Sequence, residues 1–394
     1  APANLDEASS YASQGLNHLA WQSYAQALTS GASPKLQRQA LARMLEIRKS
    51  NPTFAFTAEM KTTLRQLAAQ TQDANSRTLI NEAALALLTE QVATGANAES
   101  TLSLFGASPE YQAYAQGLVS AAQGKHAQAI EALEKFLKSE SIPENLKEER
   151  DNARLLVARA HYALGNYGIA AAAFAKVSNR APEFAESLVG RGWSELQAGH
   201  YPEALGAAKN FEMGAMKNEF EPEALMIKAM GLNELCQFPE SLKSVRQFQQ
   251  SYRESYLWLK KWAAQSPATQ PLMYPLAVAA VKGSTPAGVP TLLARVWSRS
   301  APFLAEQTEI HALFQEEASA RAALSHRPAN ALTIKAFADR AAEMRKQATA
   351  RINRELAALN QSLLKRLDTS AESLSLVQVE IYNGASHDTI FRKD

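Results

Sequence analysis

The sequence predicts an all-α solenoid of helix-turn-helix units, followed by a hairpin that contains one long helix. The first observation is a repeat, because Gly165, Tyr167 and Ala170 recur 34 positions later. The recurring residues are Gly199, Tyr201 and Ala204. A fixed period with small and aromatic residues at matching offsets is typical of stacked helical repeats. The second observation is composition, since Ala, Leu, Gln, Glu and Lys dominate these regions and favour helix.

Four units align between residues 117 and 248. In each, a small residue in the second helix allows two helices to pack closely. These small residues are Ala129, Ala170, Ala204 and Ser241. A glycine ends the first helix of three units, where a left-handed backbone conformation is expected. These glycines are Gly124, Gly165 and Gly199.

The units resemble tetratricopeptide repeats, most clearly over about residues 111–250. The resemblance implies a right-handed superhelix whose first helices line a concave, protein-binding face. The fourth unit departs from the pattern, with Cys236 in place of Gly and Ser241 in place of Ala. We expect Cys236 to occupy a tight turn between helices; the alternative is a free thiol that pairs between molecules.

Changes in pattern divide the chain into four predicted segments. Residues 1–110 are expected to form degenerate helical repeats, including one helix over 5–30, and residues 111–265 the clear repeats. Residues 266–328 form a connector interrupted by Pro and Gly, which break regular repeats. Residues 329–394 form a long helix and a short tail.

The long helix is predicted over residues 329–370, where no Pro or Gly occurs and apolar residues recur at steps of three and four. Residues 306–325 are its expected antiparallel partner, and the alternative is a dimeric coiled coil. The tail is expected to be a short strand and turn, or the end of the helix. This combination resembles envelope- and gliding-associated tetratricopeptide proteins of deltaproteobacteria.

Composition and motifs argue against several functions. The net charge of +2 is too small to indicate nucleic-acid binding. No HExxH, GxSxG, Walker or GxGxxG motif occurs, so we expect no enzyme, no cofactor and no metal. A single cysteine excludes an internal disulfide. The longest apolar run, residues 272–281, is too short to span a bilayer.

The chain begins Ala1-Pro2-Ala3. A start on small residues fits removal of a signal peptide, and therefore predicts a periplasmic protein of a bacterial envelope. The alternative is an arbitrary boundary.

The concave groove is the first candidate site. Its first helices project a surface rich in aromatic residues and Met, with a few polar residues, which is typical of protein interfaces. A peptide or helix of a partner protein would fit there. The alternative is that the superhelical twist, or the hairpin folding back, buries these side chains. The candidate groove residues are Tyr111, Tyr114, Leu118, Arg159, Tyr162, Trp193, Met226, Met230 and Asn233.

The long helix is the second candidate. Residues 335–367 carry eight basic and three acidic side chains. This pattern fits either a solvated helix face or contact with an acidic partner or anionic envelope surface. The residues that would make this contact are Arg340, Arg345, Lys346, Arg351 and Arg354.

The predicted function is therefore a protein–protein scaffold or adaptor, in a bacterial cell envelope, that binds a partner in the groove. The first alternative is an accessory module for peptidoglycan or glycan processing, since aromatic groove residues stack on sugars as well as on peptides. The second alternative is a structural dimer formed through the C-terminal helix.

Overall fold

The computed structural model describes residues 5–71, 73–106, 108–326 and 328–391, and within these ranges it contains helices and no strand. The all-α prediction is confirmed. The expectation for Ala1-Pro2-Ala3 lies outside the described residues. The α-helices are α1 (Leu5–Ser13), α2 (Asn17–Thr29), α3 (Pro34–Ser50), α4 (Ala58–Gln70), α5 (Ala74–Ala93), α6 (Pro109–Ala122), α7 (His126–Lys138), α8 (Glu149–Ala163), α9 (Tyr167–Phe174), α10 (Phe184–Gln197), α11 (Tyr201–Lys209), α12 (Pro222–Glu234), α13 (Phe238–Ala263), α14 (Met273–Val281), α15 (Thr291–Arg299), α16 (Ala301–Ser325) and α17 (Ala331–Phe391). Short 3-10 helices lie at Glu99–Phe105, Glu144–Leu146, Asn210–Glu212 and Gly214–Asn218.

The chain forms two compact units. The first unit comprises residues 1–122 and 301–353, and the second comprises 123–300 and 354–394. Each unit is therefore built from two separate stretches of sequence. The four-segment division expected from the sequence stays a prediction.

In the first unit, α2 packs against α1, α3 and α4, and α5 packs against α3, α4 and α6. The single helix expected over 5–30 is wrong. Gly15 takes a φ of +72° between α1 and α2, a conformation that ends the first helix and turns the chain.

The predicted hairpin is confirmed in the first unit, where α16 pairs with residues 331–353 of α17. Arg351 donates two hydrogen bonds to Glu306, at 2.8 and 2.9 Å. Arg345 forms an ion pair with Glu317 at 2.5 Å. These contacts lie within one chain, as expected if residues 306–325 are the antiparallel partner of the long helix.

The second unit contains the repeats as α8 with α9, α10 with α11, and α12 with α13. The first helices also contact each other in sequence order, α8 with α10 and α10 with α12. The small residues predicted at the close helix contacts, Ala170, Ala204 and Ser241, are fully buried. The Ser241 hydroxyl donates to the Ala229 carbonyl at 2.7 Å, which satisfies the polar atom where the other repeats carry Ala.

The turns between paired helices also follow the prediction. Gly165 and Gly199 have φ values of +77° and +78°, in the left-handed region. Cys236 occupies the same position of the fourth repeat with a φ of +55° and is the one non-glycine residue of the described chain with a positive φ. Its side chain is exposed.

Helix α17 continues beyond residue 370 to Phe391, so the tail is the end of the helix rather than a strand and turn. Residues 354–391 belong to the second unit. There Asn360 is fully buried and accepts a hydrogen bond from the indole of Trp297 at 2.7 Å. This bond holds the helix against α15.

Candidate partner-binding groove

The first helices of the second and third repeats enclose an open cavity of about 540 Å³. Helix α8 contributes Arg159 and Tyr162, which are three residues apart and therefore lie on one helix face. Helix α10 contributes Trp193 from the neighbouring repeat. The structure thus brings together three of the groove residues that the sequence singled out. The complete lining is Arg159, Tyr162, Phe174, Glu186, Val189, Gly190, Trp193 and Gln197.

An ion pair between Arg159 and Glu186 joins the two helices at this cavity. The Arg159 and Glu186 side chains remain 51% and 47% exposed. An exposed pair contributes little to stability, on the order of 0.5 kcal/mol. Both groups therefore remain available to hydrogen-bond a partner.

The aromatic walls of the cavity are only partly covered. The Tyr162 ring packs edge-on against Tyr167, with 5.3 Å between ring centroids. Burial, and secondarily the neighbouring Tyr167, raises the pKa of Tyr162 above its usual value of 10, so its hydroxyl stays a neutral donor and acceptor at pH 7. Trp193 packs one side on the core cluster formed by Leu196, Ala204, Ala208 and Ile227.

The floor of the cavity depends on a glycine, Gly190, that no sequence pattern singles out. The ring of Phe174, from α9, lies so close to Gly190 that a Cβ at residue 190 would fall less than 3 Å from three ring atoms. Gly190 thus permits α9 and α10 to approach here. Phe174 ends the second helix of its repeat, and its position beneath the groove follows only from the contact between α9 and α10.

At the fourth repeat, the groove is occupied by α17. Arg366 donates to Glu223 at 2.9 and 2.6 Å and to Glu221 at 2.6 Å, at the start of α12. Near the other end of α12, the amide of Asn233 donates to Glu380 at 3.2 Å. The two helices run in the same direction, since both sequences advance between these contacts.

Three candidate groove residues lie on α12. Met226 is buried, and Met230 packs partly buried against the same core cluster as Trp193. Asn233 bonds to α17. Of these three residues, Asn233 contacts the C-terminal helix, whereas Met230 packs against residues of the repeats.

The candidate residues of the first repeat lie in the first unit. The Tyr111 and Tyr114 side chains are only 2% and 1% exposed, and Leu118 is half-buried. The ring of Tyr111 stacks on Phe105, with centroids 6.3 Å apart and planes 7° from parallel. In this structure the two tyrosines contribute to the packing of α6.

The five candidate basic residues fall into two groups, those that form ion pairs within the hairpin and those that are exposed. Arg345 and Arg351 pair with Glu317 and Glu306 of α16, as described above. The side chains of Arg340, Lys346 and Arg354 are exposed. The hairpin thus uses two of the five cations for its own packing, and a role in partner binding for the other three stays a prediction.

Within the described ranges, no group of three or more His, Cys, Asp or Glu side chains is arranged to hold a metal ion. Among the same residues, none of the helices combines the length and apolar character needed to cross a membrane.

Comparison with protein families supports the identity of the repeats. A family model of the tetratricopeptide repeat matches residues 114–167 and 155–210. The two matches overlap and contain α8, α9 and α10, the helices that line the cavity. No curated protein matches the chain. The repeat geometry, the glycine turns and the family match together identify residues 114–210 as tetratricopeptide repeats.

Proposed function

We propose that the chain is a scaffold that holds a segment of a partner protein in the cavity between the second and third repeats. Tetratricopeptide repeats indicate a protein–protein interaction role in general. The observation that carries the finer proposal is the cavity itself. It combines two aromatic side chains with a half-exposed Arg159–Glu186 pair.

These residue types suit a protein partner. Trp, Tyr and Arg are the side chains that most often dominate binding energy at interfaces, because each offers a large apolar surface with a polar tip. In the cavity, Tyr162 and Trp193 offer such surfaces, while Arg159 and Glu186 offer charges of both signs. A partner with an apolar side chain flanked by a charged residue would use both.

The neighbouring repeat indicates what kind of segment fits. There, α17 lies on α12 as an amphipathic helix, and its buried residues recur at steps of three, four and seven. These residues are Leu363, Leu367, Leu374, Val377 and Ile381. Its ion pairs with Glu221 and Glu223 flank this apolar face. We infer that a partner helix with a similar apolar face and flanking charges binds at the second and third repeats.

Site-specific photo-crosslinking tests the proposal. A photoreactive amino acid at Gln197, which lines the cavity and is exposed, should form an adduct of one discrete mass in cells that produce the tagged chain. The same amino acid at Glu203, an exposed position of α11 away from the cavity, is the matched control.

A charge reversal makes the test specific. The double variant Arg159→Glu, Glu186→Arg re-forms the ion pair with opposite polarity, so the fold should keep its stability within about 0.5 kcal/mol. The adduct at residue 197 should be lost in this variant. Equal adducts at residues 197 and 203, or an adduct that survives the reversal, would contradict the proposal.

We also propose that the protein is located in a bacterial cell envelope. Fractionation of the producing cells, with an antibody against the chain, tests it. Recovery with the cytoplasmic fraction would contradict the envelope location and leave the groove proposal standing.

A further inference from the structure

Helix α14 lies at the surface of the second unit although its side chains are almost all apolar. Its sequence, MYPLAVAAV, contains no charged residue, and only Met273 and Ala277 of its nine residues are buried. A surface helix normally turns a polar face to water. The face of α14 opposite the buried pair instead carries Pro275, Val278 and Ala279. An uncharged, apolar helix face is therefore left at the surface.

Large aliphatic side chains are also exposed around this helix. Leu272, which precedes α14, is 62% exposed, and Val281, at its end, is 64% exposed. Leu257 of α13 is 56% exposed and lines an open cavity together with Pro271 and Ala287. The loops on both sides of α14 thus lie beside the end of α13. Exposed apolar surface of this kind marks a site of contact with a protein or a membrane.

The charges around this surface have one sign. Residues 255–300 contain five cations and no Asp or Glu, although the whole chain carries 41 basic and 39 acidic residues. Glu254, directly before this stretch, is the one carboxylate that lines the cavity beside Leu257. Three of the five cations have partners within the second unit, in the pairs Lys260–Asp368, Arg299–Glu219 and Arg295–Asn218.

The remaining two cations, Lys261 and Lys282, are exposed, and neither forms an ion pair with another described residue. Lys261 lines the same cavity as Leu257, and Lys282 directly follows Val281. Each unpaired ammonium thus lies beside an exposed aliphatic side chain.

This combination favours an anionic membrane surface over a protein partner. A protein interface surrounds its apolar centre with polar and charged groups, which complement charges on the partner. A membrane that contains anionic lipids attracts cations and repels carboxylates, and aliphatic side chains enter the boundary between its headgroups and acyl chains. The absence of Asp and Glu from residues 255–300 agrees with the membrane.

We propose that the second unit binds peripherally to an anionic phospholipid surface through α14 and the loops on either side of it. Leu272 and Val281 enter the boundary between headgroups and acyl chains, and Lys261 and Lys282 contact the lipid phosphates. With nine residues, α14 is too short to span a bilayer, so it lies in the plane of the surface.

Flotation of the full-length chain with lipid vesicles tests this inference. The protein should float with vesicles of equal parts phosphatidylcholine and phosphatidylglycerol, and far less with vesicles of phosphatidylcholine alone. Added salt should weaken the binding, because it screens the attraction between the lysines and the phosphates.

An apolar variant tests the insertion of α14. Leu272→Asp should weaken binding to the mixed vesicles about tenfold or more, since it removes an aliphatic side chain and adds a repelled carboxylate. Residue 272 is the N-cap of α14, where Asp is favoured, so the helix should be kept. Ile169→Asp is the matched control, because Ile169 of α9 is also more than half exposed. It should bind as the wild type does.

Two lysine variants test the charge. Lys261→Ala and Lys282→Ala should each weaken binding about fivefold, which corresponds to the ~1 kcal/mol that one cation contributes near an anionic membrane. Lys243→Ala, an exposed change elsewhere on α13, makes the same change in net charge and should bind normally. These exposed changes keep the test valid if Leu272→Asp disturbs the fold.

The proposal is overturned if the chain floats with neither kind of vesicle, as a surface made for a protein partner would, or equally with both. Equal affinity of Leu272→Asp and Ile169→Asp, or of Lys282→Ala and Lys243→Ala, would also overturn it. None of these results bears on the groove between the second and third repeats, which lies on other helices.

Discussion

Arg366 of α17 donates two hydrogen bonds to Glu223 of α12, at 2.9 and 2.6 Å, and one to Glu221. The guanidinium lies over the ring of Phe220, 5.6 Å from its centroid. Burial raises the pKa of Glu221 to about 6 even though Arg366 opposes the shift. The end of α17 is thus attached to the fourth repeat by a partly buried cluster with one cation and two carboxylates.

Removal of this cation should release the end of α17. Arg366→Ala leaves two partly buried carboxylates without their counter-ion, at a cost on the order of 3 kcal/mol. We expect amide hydrogen exchange to accelerate in residues 366–384, while the second and third repeats keep their protection. Lys365→Ala, an exposed neighbour, is the control. Unchanged exchange in Arg366→Ala would show that apolar packing alone holds the helix.

The stability of the first unit should depend on pH through His18. Its ring nitrogens lie 2.9 Å from Glu309 and 2.9 Å from Glu316 of α16, and all three side chains are buried. Burial alone would lower the pKa of His18, but the hydrogen bonds to both carboxylates outweigh it and raise the pKa to about 9. The imidazolium therefore contributes stability that is fully present below pH 6.5 and is lost as the pH rises through 9.

The shift corresponds to roughly 3 kcal/mol. Hydrogen exchange of α2 and α16 between pH 6 and 9.5, corrected for intrinsic rates, should show falling protection. His18→Gln should lower protection at pH 6 and remove most of the pH dependence. A wild-type protein with constant protection over this range would contradict the assignment of the charge to His18.

Acid should weaken the same cluster through Glu309. Burial would raise the pKa of Glu309, yet hydrogen bonds from His18, Asn51 and Thr53 lower it to about 2. The ionised carboxylate therefore stabilises the unit above pH 4.5, and this contribution is lost as the pH falls through 2. In Glu309→Gln, the free energy of unfolding, measured by urea denaturation, should fall less steeply as the pH is lowered. We call this low-pH part of the plot of unfolding free energy against pH the acid limb. An acid limb as steep as in the wild type would assign the acid sensitivity to other carboxyls.

Two glycine substitutions should have opposite effects in the second unit. Gly190→Ala places a Cβ against the ring of Phe174 and should cost about 2 kcal/mol through overpacking. Gly206→Ala, in the interior of α11, meets no heavy atom within 4 Å and should gain up to about 1 kcal/mol from helix propensity. Urea denaturation followed by circular dichroism compares them. A Gly190→Ala variant as stable as the wild type would mean that Phe174 moves aside at little cost.

A glycine in the turn of the fourth repeat should stabilise the protein. Cys236 has a left-handed backbone, which costs a side-chain-bearing residue about 1 kcal/mol relative to glycine. Cys236→Gly should therefore raise the free energy of unfolding by about that amount. Gly199→Ala, at the equivalent turn of the third repeat with no atom near the new Cβ, should lower it similarly. A destabilised Cys236→Gly would indicate that the thiol itself contributes to packing.

The repeat architecture could be predicted because its determinants are local and periodic. Gly165 and Gly199 end helices through their own backbone freedom, and Ala170 and Ala204 permit close contact wherever they recur. The site was only partly predictable. Tyr162 and Trp193 were found because they lie on the inner face of successive first helices. Phe174 and Gly190 were missed, because their approach depends on how closely α9 packs on α10.

The sequence by itself determined the helical character of the chain, the 34-residue repeat, the left-handed turns and the hairpin, since each follows from spacing and backbone preference within a short stretch. Only the tertiary structure decided which part of the groove is open. The contact of Arg366 with Glu223 joins residues more than a hundred positions apart, and no local pattern encodes such a pairing. That contact places α17 on the fourth repeat and leaves the cavity of Arg159, Tyr162 and Trp193 open between the second and third repeats.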